Sequence, residues 1–457
     1  MSIPVLAPEA RPAPDAVAGV VQRVADALAR PDGLAPHAPP GGRRAASLDG
    51  SAGVALLHLE LARHDSAHLG VAHAHVAAAA RSLTADARAV GLHSGPAAVL
   101  AAVQGCARLG GHYPQLRVKL AQLVAEQQLV LLAREQAQAE RDGGVRWAAY
   151  DAIVGPVGTG RTLLTAVVEG GTGERAAAEP ALRATLDHLV RLTVPVERAG
   201  HRIPGWWVPG HCLMTEADRE DFPRGEVNTG LAHGICGPLA LLTLAAEQGV
   251  TVEGHLDAIR TIGDWLAARV RNDAAGPYWE PRLSFDDEVA GGRTGASGHE
   301  GAPTMASWCY GPAGIAPALH RAARLAGDDR WRRVALDSLH AIFRRDEAPW
   351  QLSGPTVCHG LAGLLPALCR LGRAEGDAGL LGHANTVAGS IVQLAEDDAP
   401  FVFRHLGVAD PSTWRRGKSL ERLDAPGVLE GAAGVAAALL ALSEAGGAYW
   451  DRVLLLS

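Results

Sequence analysis

The chain of 457 residues carries a formal net charge of −7, and its acidic and basic residues are interspersed. The length allows one large domain or two to three ordinary ones, and the mixed charge favours neither nucleic acid nor an anionic membrane surface as a partner. The sequence does not open with a secretory signal pattern, and no stretch reaches the roughly 18 apolar residues of a membrane span. Its six scattered cysteines are typical of a protein in a reducing cytosol.

The first part of the chain predicts helices that begin at glycine turns. Aromatic residues make up only 4% of the sequence, a composition that favours helices over sheets. Residues 1–40 are rich in proline and alanine, and we expect a helix there between partly flexible ends. A Gly-x-x-Gly motif followed by an apolar run starts at Gly50 and returns at Gly155, with a weaker copy at Gly95. A charged helical insertion, about residues 109–149, occupies the third repeat interval, which leads into the copy at Gly155.

The second part repeats the motif with copies that start at Gly234, Gly311, Gly360 and Gly431. The segment from Asp328 is typical of an amphipathic return helix, because its apolar residues recur every three or four positions. Repeats of one inner and one outer helix stack side by side, and a set of this length can close into a ring. We therefore predict an all-α fold, an α/α toroid of seven inner and about seven outer helices, as a single domain over residues 1–457.

Residues that precede the glycine turns should converge at the mouth of the central cavity, because small residues let the turns crowd together at one end of the ring. The third and fourth copies place Asp151 and His233 there, and the fifth and sixth place Cys309, Cys358 and His359 there. Two cysteines and one histidine form a three-ligand zinc set with an open fourth position, and soft sulfur ligands favour zinc over magnesium or calcium. The alternative is three buried residues that bind no metal.

The segment GPVGTGRT, residues 155–162, resembles a phosphate-binding loop. Arg161 stands where that loop has its lysine, and the preceding residues do not form a clear strand pattern. We interpret the segment as the third glycine turn, without a nucleotide site.

Four segments resemble the LanC family of lanthipeptide cyclases: YDAIVGPVGTG, NTGLAHGICGPLALL, SWCYGPAGIA and TVCHGLAGLL. The resemblance extends from about residue 45 over nearly the whole remaining chain. It implies an α/α toroid that binds Zn²⁺ through Cys309, Cys358 and His359. It also implies that His233 is the acid/base histidine and that Asp151 is the aspartate that acts with it.

The activity that the resemblance implies is that of a stand-alone, class I lanthionine synthetase, a step in lantibiotic biosynthesis. Such an enzyme adds peptide cysteine thiols to dehydroalanine or dehydrobutyrine and so forms thioether rings. The expected substrate is a dehydrated lanthipeptide precursor, with a dehydratase and an exporter as further partners and no nucleic acid. The expected location is cytoplasmic, with peripheral association to a membrane-bound synthetase complex.

The sequence departs from the family at Met305, where the family often has an arginine four residues before the cysteine of WCYG. Arg161 and Arg224 are the predicted substitutes, because they lie near the turns that carry Asp151 and His233.

Two other functions stay open at this point. One is a LanC-like protein that binds or adds glutathione. The other is an α/α-toroid glycosidase, which would need paired carboxylates from among Asp49, Asp151 and Glu430.

Overall fold

A computed structural model of the protein describes residues 12–37, 45–83, 91–292, 305–345, 352–407, 420–443 and 449–457. The helices of this part of the chain are α1 (Pro14–Ala27), α2 (Ser51–Leu61), α3 (Ala67–Arg81), α4 (Pro96–Arg108), α5 (Pro114–Asp142), α6 (Pro156–Glu169), α7 (Thr172–Leu192), α8 (Glu216–Asp221), α9 (Cys236–Glu247), α10 (His255–Ala268), α11 (Phe285–Val289), α12 (Pro312–Ala326), α13 (Asp329–Ile342), α14 (Leu364–Glu375), α15 (Ala378–Gln393) and α16 (Ala432–Leu440).

Eight short strands form four antiparallel pairs within the described residues. They are β1 (Val196–Arg198) with β2 (His201–Ile203), β3 (Glu226–Asn228) with β6 (Arg282–Ser284), β4 (Arg271–Asp273) with β5 (Gly276–Tyr278), and β7 (His405–Gly407) with β8 (Glu421–Leu423).

The helices that follow the glycine turns form a closed inner ring. These helices are α2, α4, α6, α9, α12, α14 and α16, and most residues of each helix are buried. Each helix contacts the next along the chain, and α16 contacts α2. This closure agrees with the α/α toroid that the glycine spacing predicts.

The amphipathic helices pack around this ring. In α13, Trp331, Ala335, Leu339 and Ile342 are buried on one face, as their spacing predicts, and this face lies against α12. The predicted insertion contains one long helix, α5, which packs against α4, α6 and α7. Helix α1 provides the predicted N-terminal helix and packs on α16 and α15, whereas residues 1–11 and 38–40 lie outside the described residues.

In six of the seven turns a second glycine lies where the preceding backbone approaches closely, whereas the turn at Gly95 has Ala98 at this place. A Cβ atom added at Gly314 would lie 2.1 Å from the carbonyl oxygen of Trp308, and one added at Gly434 would lie 1.8 Å from that of Val428. Real Cβ atoms do not approach oxygen so closely. At these glycines the incoming turn therefore packs directly on the first turn of the inner helix, and a side chain there would force the backbone to shift.

Backbone hydrogen bonds join neighbouring glycine turns at one end of the ring. The pairs, written from N–H donor to carbonyl acceptor, are Leu48 to His93, His93 to Ile153, Ala152 to Ala232, Leu231 to Cys309, Cys358 to Leu429, and Val428 to Leu48. These bonds join six of the seven neighbouring pairs of turns in the described residues, and the fifth and sixth turns are brought together by the packing of α12 on α14. The residues just before the first glycine of each turn therefore lie around a common centre. Of the helices in the described ranges, none is long and apolar enough to cross a membrane.

Candidate active site

A cavity of about 870 Å³ opens where the glycine turns meet. Its wall includes Asp151, His233, His359 and Glu430, each from a different turn. The rest of the wall comes from the segment after α5, from the segment that contains α8, and from the strands β6 and β7 with their neighbours. The repeat register thus predicted correctly which end of the ring carries these side chains.

Cys309, Cys358 and His359 form a compact group of metal-binding side chains. Their ligand atoms all lie within 4.8 Å of one another, and Cys358 Sγ is 3.9 Å from His359 Nε2. Cys309 belongs to the turn before α12, and the other two belong to the turn before α14. Both sulfur atoms come from buried residues, while His359 borders the cavity. A set of two thiols and one imidazole at these separations fits a zinc ion that is reached from the cavity.

The two thiols of this group differ in acidity. Burial opposes the ionisation of Cys309, but a hydrogen bond with Cys358 and the adjacent His359 lower the pKa of Cys309 well below its usual value. The same hydrogen bond, together with burial, raises the pKa of Cys358. A divalent cation held by both sulfurs would displace their remaining thiol protons.

His233 and Asp151 form a hydrogen-bonded pair on the cavity wall. His233 Nδ1–H donates to Asp151 Oδ2 over 2.5 Å. The other carboxylate oxygen, Oδ1, accepts the backbone N–H groups of Ile153 at 2.5 Å and Val154 at 2.8 Å. Burial lowers the pKa of His233, but the Asp151 carboxylate more than offsets this, so that the pKa is raised above its ordinary value. Both oxygens of Asp151 are thus engaged, whereas Nε2 of His233 has no hydrogen-bond partner among the described residues and remains for chemistry.

Trp147 and Arg282 are neighbours of this pair that the sequence motifs did not predict. The Trp147 ring stacks on His233 with centroids 6.0 Å apart, and its Nε1–H donates to Glu226 Oε1 at 2.8 Å. The Arg282 guanidinium lies over the Trp147 ring, with its Cζ 5.1 Å from the ring centre. Its guanidinium binds Glu226 and, at 2.5 Å, Asp218. The pairing of β3 with β6 brings these groups together, and no motif marks it in the sequence.

The predicted substitutes for the family arginine are placed elsewhere. Arg161 is buried in α6, where its Nε–H donates to the carbonyl oxygen of Ser457 at 2.8 Å and its Nη1–H to Thr165 Oγ1 at 2.7 Å. Arg224 is half-exposed and pairs with Asp286. Neither residue lines the cavity, whereas Arg146 and Arg282 do. The prediction of Arg161 and Arg224 is therefore wrong as to position.

The GPVGTGRT segment is a helix start. Gly155 caps α6, and a bend after the 3₁₀ turn of Trp147–Ala149 precedes it in place of a strand. The side chain of Arg161 donates hydrogen bonds to Ser457 and to Thr165 of its own helix. These contacts agree with the interpretation of this segment as a glycine turn.

The remaining cysteines divide into two kinds. Cys106, Cys236 and Cys369 are buried in the core, as their apolar surroundings predict. Cys212 lies at the cavity wall, where its thiol donates to Asp142 Oδ2 at 3.3 Å, and His211 completes a second group of three polar side chains. Arg146 also donates to Asp142 Oδ2, so that a cation already neutralises this carboxylate.

Comparisons with known proteins agree with this geometry. A solved structure of a protein named "Nisin cyclase" superimposes with a TM-score of 0.74, covering 96% of this chain and 98% of that chain at 19% sequence identity, and so has the same fold. A search of curated protein sequences finds no match. The sequence model of the family described as "Lanthionine synthetase C-like protein" matches residues 45–455, and the chain therefore belongs to the lanthionine synthetase C-like family.

Proposed function

We propose that this protein is a zinc-dependent lanthionine cyclase that acts on a dehydrated peptide. In the proposed reaction a cysteine thiol of the peptide adds to the β-carbon of a dehydroalanine or dehydrobutyrine in the same peptide. The observation that carries the proposal is that His359, from the Cys309–Cys358–His359 group, and the His233–Asp151 pair border one cavity. A cavity of about 870 Å³ is large enough for several residues of an extended peptide.

Cys309, Cys358 and His359 would hold the metal. A zinc ion bound there supplies Lewis acidity that favours the thiolate form of the substrate cysteine. The two buried protein sulfurs are negatively charged ligands, and they would leave the attacking sulfur electron-rich.

His233 would deliver the proton that completes the addition. Attack at the β-carbon creates an enolate, which must be protonated at the α-carbon. Asp151 accepts the Nδ1–H of His233, which fixes the ring and directs Nε2 away from the carboxylate. An imidazolium held in this way is a general acid that works near neutral pH. Trp147 packs on the ring face and limits its rotation.

The site supports the two alternative functions less well. A glycosidase needs two carboxyl groups that are free to act on a sugar. Of the three candidates, Asp49 does not line the cavity, and both oxygens of Asp151 are engaged by His233 and by two backbone N–H groups. The glutathione alternative shares the metal chemistry. It differs in that the thiol would come from a small soluble molecule.

Ring closure leaves the mass of the peptide unchanged, so the test must count free thiols. A peptide with one dehydroalanine and one cysteine would be incubated with the purified protein. Its free thiols would then be alkylated, and the peptide mass would be measured by mass spectrometry. We expect the alkylated fraction to fall faster than in a sample without protein, and the Cys358→Ala variant to match that blank. Equal rates with and without the native protein would refute the proposal. Adding glutathione in a parallel sample tests the alternative, because its adduct increases the mass.

A further inference from the structure

The proposed reaction needs a group that accepts the thiol proton, and Asp151 is poorly suited to this role. Its Oδ2 accepts from His233, and its Oδ1 accepts two backbone N–H groups. Its side chain is also only 2% exposed. Both oxygens of this buried carboxylate therefore already accept hydrogen bonds from the protein itself. The cavity wall contains two other carboxylates, Asp218 and Glu430.

Asp218 is also committed to structural contacts. It accepts Arg282 Nη1–H at 2.5 Å and Thr215 Oγ1–H at 2.7 Å. It is the third residue of the short helix α8, which Thr215 caps through a reciprocal capping box. Removal of its charge would disturb this helix start and the position of Arg282.

Glu430 is different because its carboxylate is only loosely held. Its side chain is 46% exposed, and the nearest charged partner among the described residues is His405, with 3.8 Å between His405 Nε2 and Glu430 Oε2. This separation is longer than a hydrogen bond. His405 is itself fixed by Thr356, whose Oγ1 lies 3.0 Å from His405 Nδ1. Glu430 therefore has an accessible carboxylate in a polar corner of the cavity.

The repeat register places Glu430 beside the candidate metal ligands. Glu430 directly precedes Gly431 in the seventh turn, as His359 precedes Gly360 in the sixth and His233 precedes Gly234 in the fourth. The sixth and seventh turns are joined, because the backbone N–H of Cys358 donates to the carbonyl oxygen of Leu429 at 2.8 Å. His233 belongs to the fourth turn, and the fifth turn, which carries Cys309, lies between it and the turn of His359. Glu430 and His233 therefore flank the candidate metal ligands on opposite sides.

We propose that Glu430 is a further catalytic residue, the general base that accepts the proton of the substrate thiol. This inference rests on the proposed function. The S–H bond breaks and its proton passes to a Glu430 carboxylate oxygen, while the sulfur lone pair forms the new bond to the β-carbon. The π electrons of the double bond move to the α-carbon and its carbonyl, and His233 donates a proton to the α-carbon. Glu430 then releases its proton to water and His233 regains one from water, so that the net change is addition of S–H across the double bond.

Thiolate formation can be measured apart from ring closure. Cobalt would replace zinc, and a peptide that contains cysteine but no dehydroamino acid would be added. Binding of its thiolate produces a sulfur-to-cobalt absorption band, whose rate of appearance would be followed in native protein, Glu430→Gln and Glu430→Ala. Glu421→Gln is the matched control, since Glu421 is exposed on β8 and does not line the cavity.

We expect the band to appear about 10²–10⁴-fold more slowly in both Glu430 variants, with unchanged cobalt content and a native rate for the control. Formate should restore part of the rate in Glu430→Ala, where it can occupy the vacated space, and less in Glu430→Gln. Ring closure on the dehydrated peptide should slow in parallel.

Two outcomes overturn the inference while leaving the proposed function intact. A native rate of band formation in both variants would show that Glu430 is no base, and loss of cobalt from the variants would make it a metal ligand. If the native protein itself forms no band and closes no ring, the proposed function fails instead.

Discussion

His233 and Asp151 lie 82 positions apart in the sequence, yet their side chains share a hydrogen bond of 2.5 Å. The contact follows from the hydrogen bond between Ala152 and Ala232, which ties the third glycine turn to the fourth. The pair is therefore a direct product of the ring of turns. The Asp151 carboxylate keeps a proton on Nδ1 of His233, because this nitrogen donates the hydrogen bond.

Replacement of Asp151 by asparagine should reverse this tautomer. The amide oxygen can still accept the two backbone N–H groups, but the amide nitrogen would donate to His233 Nδ1 and leave the proton on Nε2. We expect Asp151→Asn and His233→Ala each to reduce single-turnover ring closure by about 10²–10⁴-fold. Zinc content and the melting temperature should remain close to native. Native rates in both variants would exclude the acid role of His233.

The metal centre should depend on both cysteines. The native protein should contain close to one zinc per chain, because three clustered ligands and an open position suffice to hold the ion. Cys309→Ala or Cys358→Ala should remove most of it, since two remaining ligands form a weak site. Cys369→Ala is the control, because Cys369 is equally buried but lies in the core. Native protein that closes rings after complete removal of metal would contradict the proposed mechanism.

The glycine turns and the grouping of the candidate metal-binding residues could be predicted from the sequence, because the same register recurs along the chain. Cys309 and Cys358 each lie two residues before the first glycine of their turns, and His359 directly follows Cys358. Arg161 was misplaced because it lies six residues beyond Gly155, about 9 Å along the helix and away from the cavity. Arg282 was missed because it reaches the site through the pairing of β3 with β6. Strands of three residues leave no periodic signal.

The close contact at the second glycine of a turn predicts a large difference between two alanine substitutions. Gly314→Ala would place a methyl group against the carbonyl oxygen of Trp308, and we expect the free energy of unfolding to fall by about 1–3 kcal/mol. Gly382 lies in α15 with no atom within 4 Å of the added methyl group. Gly382→Ala should therefore raise the free energy of unfolding by about 0.5–1 kcal/mol. Denaturant unfolding measures both, and equal effects would show that the turn tolerates a side chain.

Arg161 should contribute to stability and not to catalysis. Its burial lowers its pKa to about 9, and its hydrogen bonds connect α6 with the C-terminal residue. We expect Arg161→Met to reduce the free energy of unfolding by about 1–3 kcal/mol and to leave the ring-closing rate near native at a temperature where it is folded. The reaction should proceed without ATP. An ATP requirement that disappears in Arg161→Met would revive the phosphate-loop interpretation.

Arg282 is the remaining candidate for the positive charge that the family places at the position of Met305. It lines the cavity and lies over Trp147, which in turn stacks on His233. Its partner Glu226 has a fully buried side chain, so Arg282→Gln alone should lower the free energy of unfolding by about 3–5 kcal/mol. This loss would obscure any catalytic effect of the single variant.

The double variant Arg282→Gln with Glu226→Gln separates the two roles. It removes both charges of the pair, and the amide oxygen at position 226 can still accept the Trp147 Nε1–H that now binds Glu226. We expect most of the lost stability to return. If Arg282 stabilises the enolate, ring closure should remain about 10²-fold slower, the loss typical of one donor to a developing oxyanion. Recovery of the native rate together with the native stability would limit Arg282 to a structural role, and the enolate would then need no positive charge from this residue.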